Sequence, residues 1–297
     1  MSRLIDYLAT LPQYILPQHF LSRIMLFITR VQFVPFKNFF IKTFIQMFNV
    51  DMSLAQKNRP EDFIHFNDFF TRSLRPEARP LDIGSNNILS PVDGAVSQIG
   101  KIDTESVFQA KGYSYSLTRL LGNHQSLASR FINGEFATIY LSPRDYHRIH
   151  MPVTGKLISM THVPGKLFSV NTRTTRMVPE LFARNERVIC VFETEHGPMA
   201  LVMVGAIFVG SMETVWSGTV TPSDNRSKII TWDYDKNSSE QTIVLQQGQE
   251  MGRFNMGSTV ILLFPEHSLK WQDNFREGTC TRMGERLAEF QAKKYRT

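Results

Sequence analysis

Gly257, Ser258 and Thr259 form a step of small residues at the mouth of an apolar run, Val260 to Phe264. A serine hydroxyl that follows a glycine can attack that glycine's carbonyl carbon if the backbone bends and a base takes the proton. Gly257 has no Cβ, so its backbone is free to take left-handed or strained conformations and lets another group approach the carbonyl. The shift turns an amide into an ester and would divide the chain into residues 1–257 and 258–297. A small polar turn before a strand is the plainer use of the same tripeptide. Upstream, His147 and His150 stand three apart in Tyr146-His147-Arg148-Ile149-His150. They could be ligands on one helix face, structural loop histidines, or a base for a hydroxyl beside a proton donor to substrate. No HExxH, CxxC or third clustered ligand accompanies them, which argues against a metal. Position alone does not choose between the other two.

The elements that must place these groups read mainly as strands. Val260–Phe264 is a buried strand, and Phe136–Leu141 is a strand that runs into the histidine segment. Ser90-Pro91-Val92-Asp93-Gly94 reads as a turn before a strand over Ala95–Ile99. Val188–Glu193 and Met199–Val204 flank His196-Gly197-Pro198, a hairpin signal. Ala206–Val209, Ile229–Tyr234 and Thr242–Leu245 are further expected strands. Helices are expected over Phe63–Leu74, started by Asn58 and Pro60, and over Thr281–Tyr295, with Glu285, Glu289, Lys293 and Lys294 on a solvated face. A short helix should end near Leu121. The expected fold class is α+β: N-terminal amphipathic helices packed on a β-rich, largely antiparallel core.

The first fifty residues differ from the rest. They hold eight of the chain's 23 phenylalanines, and Arg3, Arg23, Arg30, Lys37 and Lys42 against Asp6 alone. Leu21, Ile24, Met25, Phe27 and Ile28 follow helical spacing, and Phe36, Phe39, Phe40, Phe44 and Phe48 make a second stripe. Basic amphipathic helices of this kind lie in a membrane interface and favour anionic lipid. An ordinary helical layer or a dimer contact is the alternative.

Composition narrows the classes. A hydrophobic fraction of 42% and a charged fraction of 20% are globular values. The net charge of +6 suits an anionic surface. Two cysteines, Cys190 and Cys280, make no disulfide framework, so a reducing compartment is expected. No apolar stretch reaches membrane-span length, and no secretory signal is present. Nucleic acid is a poor partner, because the basic residues sit among phenylalanines and form no dense patch.

Four motifs stand together in order: Phe66-Asn67-Asp68-Phe69-Phe70-Thr71-Arg72, Ser90-Pro91-Val92-Asp93-Gly94, Tyr146-His147-Arg148-Ile149-His150 and Phe254-Asn255-Met256-Gly257-Ser258-Thr259. With them the chain, from about residue 60 to 265, resembles a bacterial, membrane-associated phosphatidylserine decarboxylase proenzyme. Met256 departs from the leucine usual there, and it contributes only its backbone to the cut. The resemblance implies decarboxylation of phosphatidylserine to phosphatidylethanolamine in phospholipid biosynthesis. It implies a zymogen that cuts itself between Gly257 and Ser258 and turns Ser258 into a pyruvoyl group, the electron sink that forms a Schiff base with the substrate amine, with no metal and no PLP. Ser258 would be the nucleophile, His150 its base, Asp93 the carboxylate that orients His150, and His147 the proton donor in decarboxylation. Residues 1–55 would be a helical membrane-association segment and 56–297 the catalytic domain. The implied partners are phosphatidylserine, an anionic membrane surface at the cytoplasmic face of the cell membrane, and the large and small chains of one precursor; a homodimer is also allowed. A membrane-bound Ser-His-Asp esterase would use the same side chains, but the G-x-S-x-G elbow and the alternating βα pattern are missing.

Overall fold

The computed structural model describes residues 6–7, 10–110, 113–208, 211–222, 228–235 and 242–291. Its centre is the strand Ser258–Phe264, every residue of which is buried. A continuous apolar run suits a strand covered on both faces. It pairs antiparallel with Gly197–Val204 on one side and Glu135–Leu141 on the other. The sheet continues outward through Arg187–Thr194, Gly155–Val163 and Ile230–Asp233, and in the other direction through Gly94–Lys101 and Cys280–Thr281. Val244–Leu245 also pairs with Gly155–Val163. A second sheet runs Gly218–Thr221, Met212–Thr214, Glu250–Phe254, Arg148–His150, and a third runs Asn87–Leu89, Arg286–Phe290, Leu269–Trp271. All these pairings are antiparallel. With the N-terminal helices this is the expected α+β class.

Two helices, α1 (Gln18–Ile28) and α2 (Val34–Phe48), form the N-terminal layer. The burial of α1 is inverted: its buried residues are Gln18 and Ser22, while Phe20, Ile24 and Phe27 are exposed. It docks through hydrogen bonds. The Leu167 amide donates to Gln18 Oε1 (2.7 Å), the Phe208 amide to Ser22 Oγ (3.1 Å), and His19 Nε2 to the Gly165 carbonyl (2.9 Å). Helix α2 buries Ile41 and Phe44 in a small aromatic core with Phe63, Phe66, Phe69 and Phe70, yet leaves Phe36, Phe39 and Met47 exposed. Phe44 meets Phe66 edge-on at 5.0 Å, and Phe40 stacks on Phe66 at 4.3 Å. Because residues 41–50 and 63–70 share this core, a boundary at residue 55 does not divide the packing.

The hairpin around His196–Pro198 forms as expected, with Thr194 opposite Gly197. Three expectations are corrected. The Phe63–Leu74 helix shrinks to α3 (Phe66–Phe70), because His65 is extended and its Nδ1 accepts the Asp68 amide as a cap. Its aromatic residues then turn inward instead of lining one long stripe. Residues 281–291 hold no helix: Gly284, at φ +90°, makes a turn, and Arg286–Phe290 is captured as a strand between Asn87–Leu89 and Leu269–Trp271. Long-range pairing overrides the helical charge pattern there; Lys293, Lys294 and Tyr295 lie outside the described residues. Ala206–Phe208 is not a strand, since Phe208 takes a positive φ of 67°, and Val209 lies outside the described residues.

Candidate active site

Strand register brings the candidate groups together. Ser258 is the first residue of its strand and lies opposite Leu141, the last residue of Glu135–Leu141. The chain leaving Leu141 therefore starts beside Ser258 and carries Ser142, Asp145, Tyr146 and His147 past it. On the other side of Gly257, Glu250–Phe254 pairs with Arg148–His150, and the Phe254 amide donates to the His147 carbonyl (3.0 Å). Both flanks of the Gly257–Ser258 bond are thus held against one segment, 141–150. Asn255 is pinned as well: its carbonyl accepts from Asn67 Nδ2 (2.9 Å), and its own amide group donates to Ser211 Oγ and to Glu213 Oε1 (2.8 Å). Met256 packs against both the main core and the aromatic core, so its side chain does more than pass the backbone through.

Gly257 is not in the left-handed region. What its missing side chain leaves is room: a Cβ there would lie 3.6 Å from the Leu141 carbonyl oxygen and 4.0 Å from His147 Cε1. Ser258 is fully buried, and its Oγ has no hydrogen-bond partner; neither has Thr259 Oγ1. An unbonded buried hydroxyl carries a desolvation cost of roughly 1–3 kcal/mol, so each such group asks for a reason.

His147 is fully buried, with its ring stacked on Phe70 at 4.1 Å. Nε2 lies 3.1 Å from the Ser142 carbonyl, and a carbonyl only accepts, so Nε2 carries the proton. Nδ1 then holds a lone pair, and it has no partner. Burial, reinforced by the Arg72 charge, drives the imidazole pKa down to about 3. His147 is therefore a neutral ring with an idle base nitrogen near the Gly257–Ser258 bond.

His150 is fully engaged. Nδ1 donates to the Gly248 carbonyl (2.8 Å), which leaves Nε2 to accept from the Tyr146 hydroxyl (2.9 Å). Burial lowers its pKa. Asp93 does not hydrogen-bond His150, the contact that the resemblance implies. Its Oδ1 accepts from Arg79 Nε and from the Met283 amide (both 2.9 Å), and its Oδ2 accepts from Arg79 Nη2. The turn that bears Asp93 is nonetheless adjacent, because the His150 amide donates to the Pro91 carbonyl (2.8 Å). Next to it, Gly94 is required: a Cβ there would collide with the Tyr140 carbonyl.

Arg79, Tyr146 and Phe70 thus join the site beside the residues expected. Tyr146 and Phe70 stood within motifs already singled out. Arg79 carried no signal, lying between prolines in an irregular stretch. A cavity of about 530 Å³ opens beside the site, lined among others by Asn49, Arg72, Asp93, Tyr140, Ser142 and Arg144. Among the described residues, no group of three or more His, Cys, Asp or Glu is placed to hold a metal ion.

Set against known proteins, residues 66–289 match the family model described as phosphatidylserine decarboxylase, and residues 8–49 match one described as PSD. A phosphatidylserine decarboxylase proenzyme of Bordetella pertussis is 53% identical over 283 residues, 95% of this chain and 94% of the relative. The proenzyme of Stutzerimonas stutzeri is 51% identical, covering 96% of this chain and 95% of its own. That of Psychromonas ingrahamii is 51% identical, covering 96% and 98%. The chain belongs to the phosphatidylserine decarboxylase family.

Proposed function

We propose that the protein decarboxylates phosphatidylserine at a membrane surface, using a pyruvoyl group that it makes from its own Ser258. One observation carries the reading. In a chain of this family, a fully buried serine hydroxyl with no hydrogen-bond partner sits next to a glycine carbonyl and near an idle imidazole nitrogen.

Self-cleavage needs only atoms of this chain as far as the elimination, and one water for the release of ammonia. Ser258 Oγ attacks the Gly257 carbonyl carbon, a base takes the hydroxyl proton, and the peptide nitrogen leaves to give an ester. Elimination across the Cα–Cβ bond of residue 258 releases the Gly257 carboxylate; hydrolysis then frees ammonia and leaves a ketone. A serine hydroxyl needs a base to do this. On the resemblance that base is His150, oriented by Asp93, in the manner of a triad. In the intact chain the pair must first be made. Asp93 has to leave Arg79, His150 Nδ1 has to exchange the Gly248 carbonyl for Asp93, and Nε2 has to release the Tyr146 hydroxyl. One observation favours a second reading, in which His147 takes the proton: its Nδ1 is idle, and its ring is the nearer one in the intact chain. Replacing each histidine by alanine and following cleavage on a gel separates the two.

The surroundings of residue 258 fit a pyruvoyl group. No side chain fills the space at Gly257, and the unpartnered Thr259 hydroxyl lies one residue away. The conjugated carbonyl supplies an electron sink when carbon dioxide departs. The substrate's ammonium must lose a proton before its nitrogen can react, and His147 Nδ1 is the idle acceptor. The same atom can return that proton to the carbon that loses carbon dioxide. Such a positioned acid contributes about 10²–10⁴-fold.

After cleavage, strand 258–264 stays between its two neighbours in the sheet, so the 1–257 and 258–297 chains remain one body. The exposed apolar side chains of α1 and α2, with Arg23, Arg30 and Lys42 beside them, suit the anionic lipid of the cytoplasmic face. No described helix is long and apolar enough to cross a membrane. The test is release of carbon dioxide from phosphatidylserine vesicles by the wild-type chain and its absence with Ser258→Ala. Turnover by Ser258→Ala at the wild-type rate contradicts the proposal.

A further inference from the structure

Arg72 is 5% exposed, yet it lacks a full set of partners. Its Nη2 donates to the Arg144 carbonyl (3.1 Å), and its plane lies over the Phe69 ring at 5.6 Å, but Nε and Nη1 donate to nothing. The nearby carboxylates are committed elsewhere: Asp93 to Arg79 and the Met283 amide, Asp145 to the Ser142 amide and hydroxyl, and Asp51 to Ser53. Burial lowers the Arg72 pKa only to about 10, so the guanidinium stays charged at neutral pH. A buried cation with idle donors is costly unless an anion completes it.

The cavity that Arg72 lines touches both regions the substrate must join. Its lining includes Asn49 and Asp51, directly after α2, whose outer face is apolar and exposed. It also includes Tyr140, opposite Thr259, and Ser142, whose carbonyl accepts from His147 Nε2. A headgroup in this cavity would lie between the helical layer and the head of the central strand.

We propose that Arg72 binds the phosphodiester of the lipid headgroup through the Nε–H and Nη1–H donors. The inference rests on the decarboxylase reading above. The substrate carries two anions, and chemistry separates them. The carboxylate departs as carbon dioxide, so a strong bond to it would favour the ground state over the transition state and slow the reaction. The phosphodiester keeps its charge throughout, so holding it positions the headgroup without opposing decarboxylation. Planar guanidinium donors suit phosphate oxygens. Arg148, next to His147 in sequence, is unsuited: its Nε donates to the Thr71 carbonyl (2.9 Å) and its Nη1 to Glu250 (2.8 Å).

The test uses the self-processed full chain with short-chain phosphatidylserine, and glycerophosphomethanol, which has no amine, as a probe of the phosphodiester alone. Arg72→Gln is expected to cleave itself, to raise KM at least tenfold with a much smaller change in kcat, and to lose binding of the probe by calorimetry. Arg72→Lys should recover part of both. Unchanged KM and unchanged probe binding in Arg72→Gln overturn the proposal. If neither variant matures, the wild-type enzyme decides. Inhibition by glycerophosphomethanol but not by its uncharged methyl triester supports an anion site, and equal inhibition by the two overturns it. A wild-type chain that matures but never decarboxylates phosphatidylserine instead defeats the parent reading, a distinguishable outcome.

Discussion

Buried polar side chains are treated in opposite ways at two places in this molecule. In the N-terminal layer they are satisfied: Gln18, Ser22, Thr29 and Lys37 all have hydrogen bonds, and among the described residues no orphaned buried side-chain atom precedes Arg72. Around the head of the central strand they are left idle: Ser258 Oγ, Thr259 Oγ1, His147 Nδ1 and two Arg72 nitrogens. Helix α1 uses its polar groups for docking and turns Phe20, Ile24 and Phe27 outward, a pattern suited to a surface that is not water. The strand head sits in an apolar sheet that could have held valine at residue 258 more cheaply, yet it keeps a hydroxyl and an imidazole without partners. On the function proposed above, the difference separates a region suited to attachment from one suited to reaction.

The sharpest break of that comparison is Ser258→Ala. It should leave the layer intact, abolish the 258–297 chain on a gel and remove decarboxylation altogether. Next come the histidines. His150→Ala is expected to accumulate uncut precursor, whereas His147→Ala should cleave and then turn over about 10²–10⁴-fold more slowly; the reverse pattern assigns the cleavage base to His147. Asp93→Asn should also slow cleavage, and Arg79→Ala tests whether the Arg79 pair restrains Asp93. Faster maturation of Arg79→Ala means that it does, and slower maturation means that Arg79 only supports the turn.

On the attachment side, Phe27→Ser and Phe39→Ser each remove an exposed aromatic side chain. Each should weaken liposome sedimentation by about 1.5–3 kcal/mol if the face is buried in lipid, with soluble-substrate turnover unchanged. Equal sedimentation would place the membrane contact elsewhere. Deleting residues 1–55 is a poorer experiment, because it strips Phe44 from Phe66, Phe69 and Phe70, and Phe70 supports His147.

The smallest effect concerns acid. The His147 pKa in the fold is about 3, below its ordinary 6.5, and burial also lowers His150 and His65. Between those values the unfolded chain binds more protons than the folded one, so stability is full above about pH 6.5 and falls as pH drops. The His147 contribution amounts to roughly 2 kcal/mol lost by pH 5. The urea midpoint of uncut Ser258→Ala should therefore fall between pH 7 and pH 5, and fall less in Ser258→Ala/His147→Phe.

Much of this was legible in the sequence. The apolar run after Ser258, the strand over 136–141 and the hairpin around 196–198 announce themselves through pattern and turn chemistry. Two inferences from local pattern failed where distant partners decide. Residues 286–290 have a helical charge spacing but are captured by two strands from elsewhere. Residues 63–74 break after one turn because four phenylalanines seek a common core with α2. At the site, the types and order of Ser258, His147, His150 and Asp93 were visible, but their partners were not. That Asp93 rests on Arg79 depends on how an irregular stretch between Pro76 and Pro80 meets the Asp93 turn, and that Arg72 is buried with idle donors depends on what packs around the end of α3; no local spacing encodes either.

The mass of the short chain tests the central claim most directly. If residue 258 becomes a pyruvoyl group, the fragment spanning 258–297 should be lighter than its encoded sequence by one ammonia and resist Edman degradation. A fragment of encoded mass with a free serine amine, or one unbroken 297-residue chain in active enzyme, would contradict it.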